Sequence, residues 1–135
     1  MTTIYDLLSS FRDIVNTYDT YIDRAKLWKG RVLAGNSRGM ESFLSSLERL
    51  IEKTRYAFTL YNNAAVEDAD DESMKYIKTY YSYLVLVSIP YIRDILLEIR
   101  HSIKNSRDNR LAENIDKTIE QLNGLLSMNT GSSNQ

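Results

Sequence analysis

Residues with apolar side chains recur at helical spacing along several long segments of the chain. In the longest segment, residues 74–103, one set of positions repeats every three or four residues, which places it on one face of a helix. That predicted buried face consists of Ile77, Tyr81, Leu84, Ser88, Ile92, Ile95, Ile99 and Ile103. A second stripe beside it consists of Tyr76, Tyr80, Tyr83, Val87 and Tyr91. A helix with so wide an apolar surface is expected to pack on more than one side.

Pro90 interrupts this central segment. A proline inside a helix removes one backbone donor and crowds the carbonyl of the residue four positions earlier, here Leu86. The apolar spacing continues on both sides of Pro90, so the sequence predicts one kinked helix rather than two. Charged residues within the segment, such as Lys78 and Asp94, argue against a membrane span.

Three further amphipathic helices are predicted, over about residues 4–28, 37–61 and 107–127. Thr3 is expected to cap the first helix, with Asp6 completing a capping box. The caps expected for the other helices are Asn36 or Ser37, an Asp or Ser before the central helix, and Ser106.

Four amphipathic helices joined by short links predict an all-α protein. The expected architecture is an antiparallel four-helix bundle with a long, Pro-kinked third helix. Residues 1–128 form a single domain in this prediction, and residues 129–135 form a flexible polar C-terminal tail.

The composition of the 135-residue chain, with 43% hydrophobic and 26% charged residues, is typical of a soluble globular protein. The absence of cysteine excludes disulfides, thiolate metal sites and cysteine nucleophiles, and it suits a reducing compartment. The N-terminal residues lack the features of a secretory signal. A cytoplasmic location is therefore expected.

The charges are unevenly distributed, although the net charge is only −1. In an antiparallel bundle the first and third connections meet at one end, which would gather nine of the 17 basic residues there. This basic end consists of Arg24, Lys26, Lys29, Arg31, Arg38, Arg100, Lys104, Arg107 and Arg110. The acidic run of residues 67–72 would lie at the opposite end. The basic residues of the first connection either oppose the dipole at a helix C-terminus or form an anion-binding loop that contacts phosphates.

Tyrosine is abundant, with ten residues in the chain. Its large ring and polar tip suit either the edge of a core or an interface with another molecule. The residues predicted for a protein interface are Tyr76, Tyr80, Tyr83 and Trp28.

Catalytic and metal-binding patterns are incomplete. Glu98 and His101 match one Glu-x-x-His pair of a di-iron bundle, but the chain has only one histidine and that site needs two pairs. Arg93 and His101 are spaced too widely for the Arg-x(4–6)-His pattern of HEPN-type helical nucleases. The acidic run lacks the glycine and spacing of a calcium loop. We therefore expect a non-enzymatic protein with no metal and no cofactor.

The order of the helices and the segment Asn36-Ser37-Arg38-Gly39-Met40-Glu41-Ser42-Phe43-Leu44 resemble the small all-helical subunits of CRISPR interference complexes. Some of those subunits begin their main helix with Thr-Ser-Gln-Ile-Arg before aromatic and leucine positions, and the Ser, Arg and Phe-Leu here are similar. The resemblance implies a non-catalytic subunit that stacks on its neighbours and contacts nucleic acid through basic residues, with Arg38 as one contact.

Three interpretations of function remain open. The chain could be a subunit of a nucleoprotein assembly that binds RNA or single-stranded DNA through the basic end. It could be a self-assembling structural or coat protein, since oppositely charged ends suit head-to-tail contacts. It could also be a small regulator, for example a viral one, that binds a single protein partner. All three involve protein partners or further copies of the chain, and neither a membrane nor a small-molecule substrate.

Overall fold

The regular elements are all helical. The computed structural model describes residues 3–63, 70–103 and 109–133, with side chains described except for Asn109 and residues 129–133. Its elements in chain order are α1 (Ile4–Leu33), α2 (Met40–Asn62), α3 (Asp71–Tyr83), a π-helical segment (Leu84–Ser88), α4 (Ile89–Ser102) and α5 (Asn109–Ser133). The predicted all-α class is thus confirmed for the described ranges.

The α3 helix, the π segment and α4 follow one another without a break. The backbone at Leu84 and Ile89 stays in the right-handed helical region, so residues 71–102 form one helical stretch, and the described ranges contain four such stretches. The Ile89 amide donates to the Leu84 carbonyl, five residues earlier. This wider turn directly precedes Pro90, whose ring would crowd the carbonyls of a regular α-helix.

The start of α1 confirms the predicted capping box. The Thr3 hydroxyl accepts from the Asp6 amide at 3.2 Å, and the Asp6 carboxylate accepts from the Thr3 amide at 3.4 Å. These two bonds satisfy backbone donors that an uncapped helix leaves free.

The predicted end of the first helix, near residue 28, is wrong. Gly30 lies inside α1, which ends at Leu33 with Ala34 as its C-cap. Gly35 follows the cap with a φ of +86°. The amide of Asn36 donates to the carbonyl of Arg31 at 2.8 Å, and the amide of Gly35 donates to the carbonyl of Val32 at 2.9 Å. This pair of bonds is the Schellman ending that glycine allows.

The predicted caps of the second helix, Asn36 and Ser37, are also wrong. Asn36 instead uses its side-chain oxygen to accept from the amide of Arg38 at 3.2 Å, which forms a turn. The residue before α2 is Gly39, with φ of +89° and no side-chain cap.

The remaining boundaries differ by a few residues from the expectations. The predicted Asp cap of the central helix is Asp70, whose carboxylate accepts from the Ser73 amide at 2.7 Å, so α3 begins earlier than residue 74. α5 extends to Ser133, six residues beyond the expected end at Ser127. The predicted cap Ser106 lies outside the described residues.

The buried core follows the predicted apolar faces closely. Every member of the first stripe of residues 74–103 is buried, and an aromatic cluster joins α1, α2 and α3 near one end. In that cluster the ring of Tyr81 lies 4.6 Å from Phe58, 4.7 Å from Tyr61 and 6.1 Å from Phe11, measured between centroids. Tyr80 and Met74 pack against the core from its edge.

Contacts between the helices define which ones are neighbours. α1 contacts α2, α3, the π segment and α4, whereas α5 contacts α2, α4 and the π segment. Phe11 meets Tyr81, and further along Lys29 pairs with Glu98, so residue numbers rise together along α1 and the α3–α4 stretch. Between α1 and α2 they run in opposite senses, since Phe11 also stacks on Phe58 and Tyr21 meets Phe43.

Candidate interaction surfaces

The predicted basic residues are spread over helix ends and connections. Arg24, Lys26, Lys29 and Arg31 lie on α1, so the segment interpreted as a possible loop is helical up to Leu33. Arg38 lies in the turn between α1 and α2, Arg100 near the end of α4 and Arg110 at the start of α5. Lys104 and Arg107 lie outside the described residues.

Three of the predicted basic residues form ion pairs that link neighbouring helices. Lys29 of α1 pairs with Glu98 of α4. The Arg100 Nε atom lies 2.9 Å from the Asp116 carboxylate of α5. The Arg110 Nε atom of α5 lies 3.7 Å from the Glu41 carboxylate of α2. These contacts join the C-terminal halves of α1 and α4 to the N-terminal halves of α2 and α5.

The same ion pairs reduce the positive charge that this end presents. Glu98 and Asp116 are half-exposed carboxylates that pair with Lys29 and Arg100, two of the predicted basic residues. The sequence prediction considered only the charges in the two connections, so it did not include these two carboxylates, which lie within α4 and α5. Packing of the helices brings the carboxylates next to the basic residues. The signal in the sequence was that both are charged residues on exposed helix faces.

A second group of cations lies over aromatic rings. The distances from the charged group to the ring centroid are 5.4 Å for Arg24 over Tyr21, 5.0 Å for Lys26 over Tyr91 and 4.9 Å for Arg31 over Trp28. None of the ion pairs found between described residues involves Arg24, Lys26 or Arg31. A ring holds a cation by its quadrupole without cancelling its charge.

The Lys26–Tyr91 contact closes one side of a groove between α1 and α4. Its cavity of about 450 Å³ is lined by Lys26, Lys29, Gly30, Leu33, Tyr91, Ile95 and Glu98. Hydrogen bonding to Tyr91 and the charge interaction with it raise the pKa of Lys26. A lysine is protonated at neutral pH with or without this shift, so Lys26 places a positive charge at the rim of the groove.

The tyrosine face is the exposed part of the second stripe on the α3–α4 stretch, formed by Tyr76, Tyr83, Val87 and Tyr91 with the adjacent Leu86. Leu86 is 75% exposed and Tyr76 is 52% exposed. Tyr80, predicted as part of the same interface, is half-buried against the core. Trp28 lies apart from this face, where its ring meets Arg31 and comes within 3.4 Å of the position that a Cβ on Gly39 would occupy.

The described ranges contain few side-chain clusters that could bind a metal ion or support catalysis. No group of three or more His, Asp or Glu side chains in residues 3–63, 70–103 and 109–133 is arranged to hold a metal ion. Glu98, one half of the Glu-x-x-His pair, is engaged with Lys29, and His101 is exposed. None of the described helices is both long enough and apolar enough to cross a membrane.

Comparisons with known proteins return no relative. No protein-family model matches the chain, and neither a characterised protein nor a solved structure is significantly similar to it. Its surfaces are therefore the basis for any functional assignment.

Proposed function

We propose that the protein is a non-catalytic helical-bundle subunit of a larger cytoplasmic nucleoprotein assembly. Its basic end contacts the backbone of RNA or single-stranded DNA, and its tyrosine face contacts neighbouring protein subunits. The proposal includes the antiparallel bundle with a kinked third helix, and it agrees with the resemblance to CRISPR small subunits.

The contacts between helices support this arrangement. An antiparallel bundle requires opposite senses for α1 and α2, which the pairs Phe11–Phe58 and Tyr21–Phe43 satisfy. It requires the same sense for α1 and the third helical stretch, which is satisfied as well. The three interhelical ion pairs then lie at the end that collects the first and third connections.

The observation that carries the nucleic-acid proposal is the set of cations held on rings. Because Arg24 and Arg31 are positioned by aromatic faces, their charge and their N–H donors remain available to phosphate oxygens. Lys26 also hydrogen-bonds Tyr91, and it keeps its charge for a phosphate. Exposed bases can stack on such rings or on the guanidinium planes.

The ion pairs change the weight of each predicted contact. Lys29, Arg100 and Arg110 must give up or share a carboxylate partner in order to bind a phosphate. Arg31 and Arg38 carry no such cost among the described contacts. We therefore assign them the larger contribution to binding.

The test is the double charge reversal Arg31→Glu/Arg38→Glu, with binding to fluorescent single-stranded RNA and DNA measured over a range of salt. Loss of two phosphate contacts should make the negative slope of log K against log salt shallower by about 1.4 for a single strand. The matched control is Arg12→Glu/Lys78→Glu, because both residues are exposed and lie near the Phe11–Tyr81 contact, away from the basic end. Equal binding by wild type and the Arg31/Arg38 variant would reject the proposal.

A second candidate, a self-assembling structural protein, is favoured by the exposure of the tyrosine face. Purification of the tagged protein from its native cells, with and without nuclease, separates the two candidates. Nucleic acid and fixed partner proteins are expected for a nucleoprotein subunit, and recovery of the chain alone is expected for self-assembly. A single stable protein partner would instead indicate a regulator.

A further inference from the structure

The middle of the tyrosine face has no charged residue of its own, and charged residues lie at both ends. Residues 79–92 contain no Lys, Arg, Asp or Glu. The exposed side chains of Lys75 and Lys78 precede this stretch. Arg93 and Asp94 follow it as an ion pair, in which the Asp94 side chain is 60% exposed. Lys26 of α1 also lies over the Tyr91 ring near this second end. The face thus carries two lysines at one end, an apolar middle, and an exposed carboxylate paired with Arg93 at the other end.

From this layout we infer that the tyrosine face binds a second copy of the same chain, with the two α3–α4 stretches packed antiparallel about a two-fold axis. This inference deepens the proposed assembly role, because it names a second copy as one of the neighbouring subunits. The axis passes between Tyr83 and Leu86, the centre of the span from Lys75 to Asp94.

Charge complementarity selects the antiparallel pair. In that orientation Lys75 of each copy faces Asp94 of the other, and Tyr83 of each copy faces Leu86 of the other. A parallel pair would oppose Lys75 to Lys75 and Asp94 to Asp94, which places like charges together. An isologous contact of this kind uses the same patch twice and closes, so it yields a dimer rather than a filament.

The apolar middle supplies the driving force. Tyr83 and Tyr91 are each more than two-fifths exposed, and Leu86 is the most exposed large apolar side chain described. Tyrosine is enriched at the centres of interfaces, where its ring is buried at low entropic cost. One helix face gives an interface near the small end of the stable range, about 1,200 Å² in total, so the dimer should depend on concentration.

The first test is sedimentation velocity of the full chain from about 1 μM to about 500 μM, a range that spans weak association. A shift from monomer to dimer is expected. Leu86→Glu should raise the dissociation constant at least about tenfold, since it puts a charge at the centre of the contact. Leu27→Glu is the matched control, because Leu27 is 61% exposed on α1, outside the face, and this variant should dimerise like wild type.

The second test fixes the orientation. The chain has no cysteine, so single thiols can be introduced cleanly. Leu86→Cys should form a dimer disulfide under mild oxidation. Lys75→Cys alone should not, because its two copies would lie about 28 Å apart along the helices, whereas a disulfide needs Cα atoms within about 7 Å. A mixture of Lys75→Cys and Asp94→Cys should cross-link.

Charge exchange provides an independent check. Lys75→Glu and Asp94→Lys should each weaken the dimer, and the double variant should restore it because the opposite charges again face one another.

Two results would overturn the pairing. The first is a monomer at every concentration, including one that binds a different protein. The second is cross-linking of Lys75→Cys as efficient as that of Leu86→Cys, which would mean a parallel pair. Neither result bears on the basic end. A monomer that still binds nucleic acid would leave the proposed nucleic-acid binding intact. A dimer that binds no nucleic acid would reject that proposed binding and leave the pairing of the tyrosine faces intact.

Discussion

The phenol oxygen of Tyr18 on α1 lies 3.1 Å from the hydroxyl oxygen of Thr54 on α2, and both side chains are completely buried. The Thr54 hydroxyl donates its proton to the Leu50 carbonyl at 2.7 Å. Tyr18 must therefore donate to Thr54, which leaves both groups satisfied. Thr54 is thus the hydrogen-bond partner that allows a tyrosine to be buried in the core.

This direction of donation predicts unequal costs for two conservative variants. Thr54→Val strands the buried Tyr18 donor and should lower the free energy of unfolding by about 1–3 kcal/mol. Tyr18→Phe leaves Thr54 bonded to Leu50 and should cost less. In the Tyr18→Phe background, Thr54→Val should lower the free energy of unfolding by a smaller amount. Urea denaturation of the wild type, the two single variants and the double variant measures this difference. Additive costs would contradict the assignment.

Stability should fall at alkaline pH because burial raises the pKa of Tyr18. In the unfolded chain Tyr18 ionises near the ordinary pKa of about 10, whereas in the folded protein it stays neutral. The stability that buried Tyr18 contributes is therefore complete below about pH 10 and is lost as the pH rises above it. The slope for this one residue is about 1.4 kcal/mol per pH unit. Burial also raises the pKa of Tyr61 and Tyr81, in the same direction.

The alkaline effect can be isolated by comparing denaturation curves between about pH 8 and pH 11, on either side of the tyrosine range. Tyr18→Phe should lose stability less steeply with pH than wild type. Tyr5→Phe, which alters an exposed tyrosine, should follow the wild-type slope. Identical slopes for all three proteins would show that Tyr18 does not supply the effect.

Gly39 and Gly35 should respond differently to alanine. Both have positive φ, so either substitution strains the backbone by about 1 kcal/mol or more. A Cβ on Gly39 would also meet the Trp28 ring at 3.4 Å, whereas a Cβ on Gly35 meets nothing within 4 Å. Gly39→Ala should therefore shift the fluorescence of Trp28, the only tryptophan, and Gly35→Ala should not.

Gly124 offers a stabilising substitution. It lies inside α5, and a Cβ there has no neighbour within 4 Å. Gly124→Ala should raise the free energy of unfolding by about 0.5–1 kcal/mol, because alanine loses less backbone entropy in a helix. Thermal unfolding measures the gain, and a lower midpoint would mean that α5 packs more tightly at this position.

The apolar spacing predicted the helices and their buried faces because burial depends on a repeated pattern over many residues. Ile77, Ile92 and Ile99 lie where that pattern places them. The helix ends were less predictable, because they depend on single turns. Gly30 and Gly35 look alike in the sequence, but only Gly35 adopts the positive φ that ends α1.

The candidate surfaces were predictable only in part, for a related reason. The sequence identifies which residues are basic, such as Arg24 and Arg100, but not which carboxylate reaches them across the packing. Arg24 lies over a ring and Arg100 against Asp116, and the two differ in what they can offer a phosphate. The second tyrosine stripe was ambiguous between core and surface, and its members divide: Tyr80 is half-buried, whereas Tyr76 is exposed.

The position of α1 between α2 and the α3–α4 stretch has a consequence for the order in which the chain is made. A ribosome releases α1 and α2 first, and these two can pair at once. The side of α1 that meets α3 and α4 finds its cover only after residue 102 has left the exit tunnel. The nascent protein therefore carries a bare apolar flank for much of its synthesis, and it is during this interval that a chaperone would be most useful.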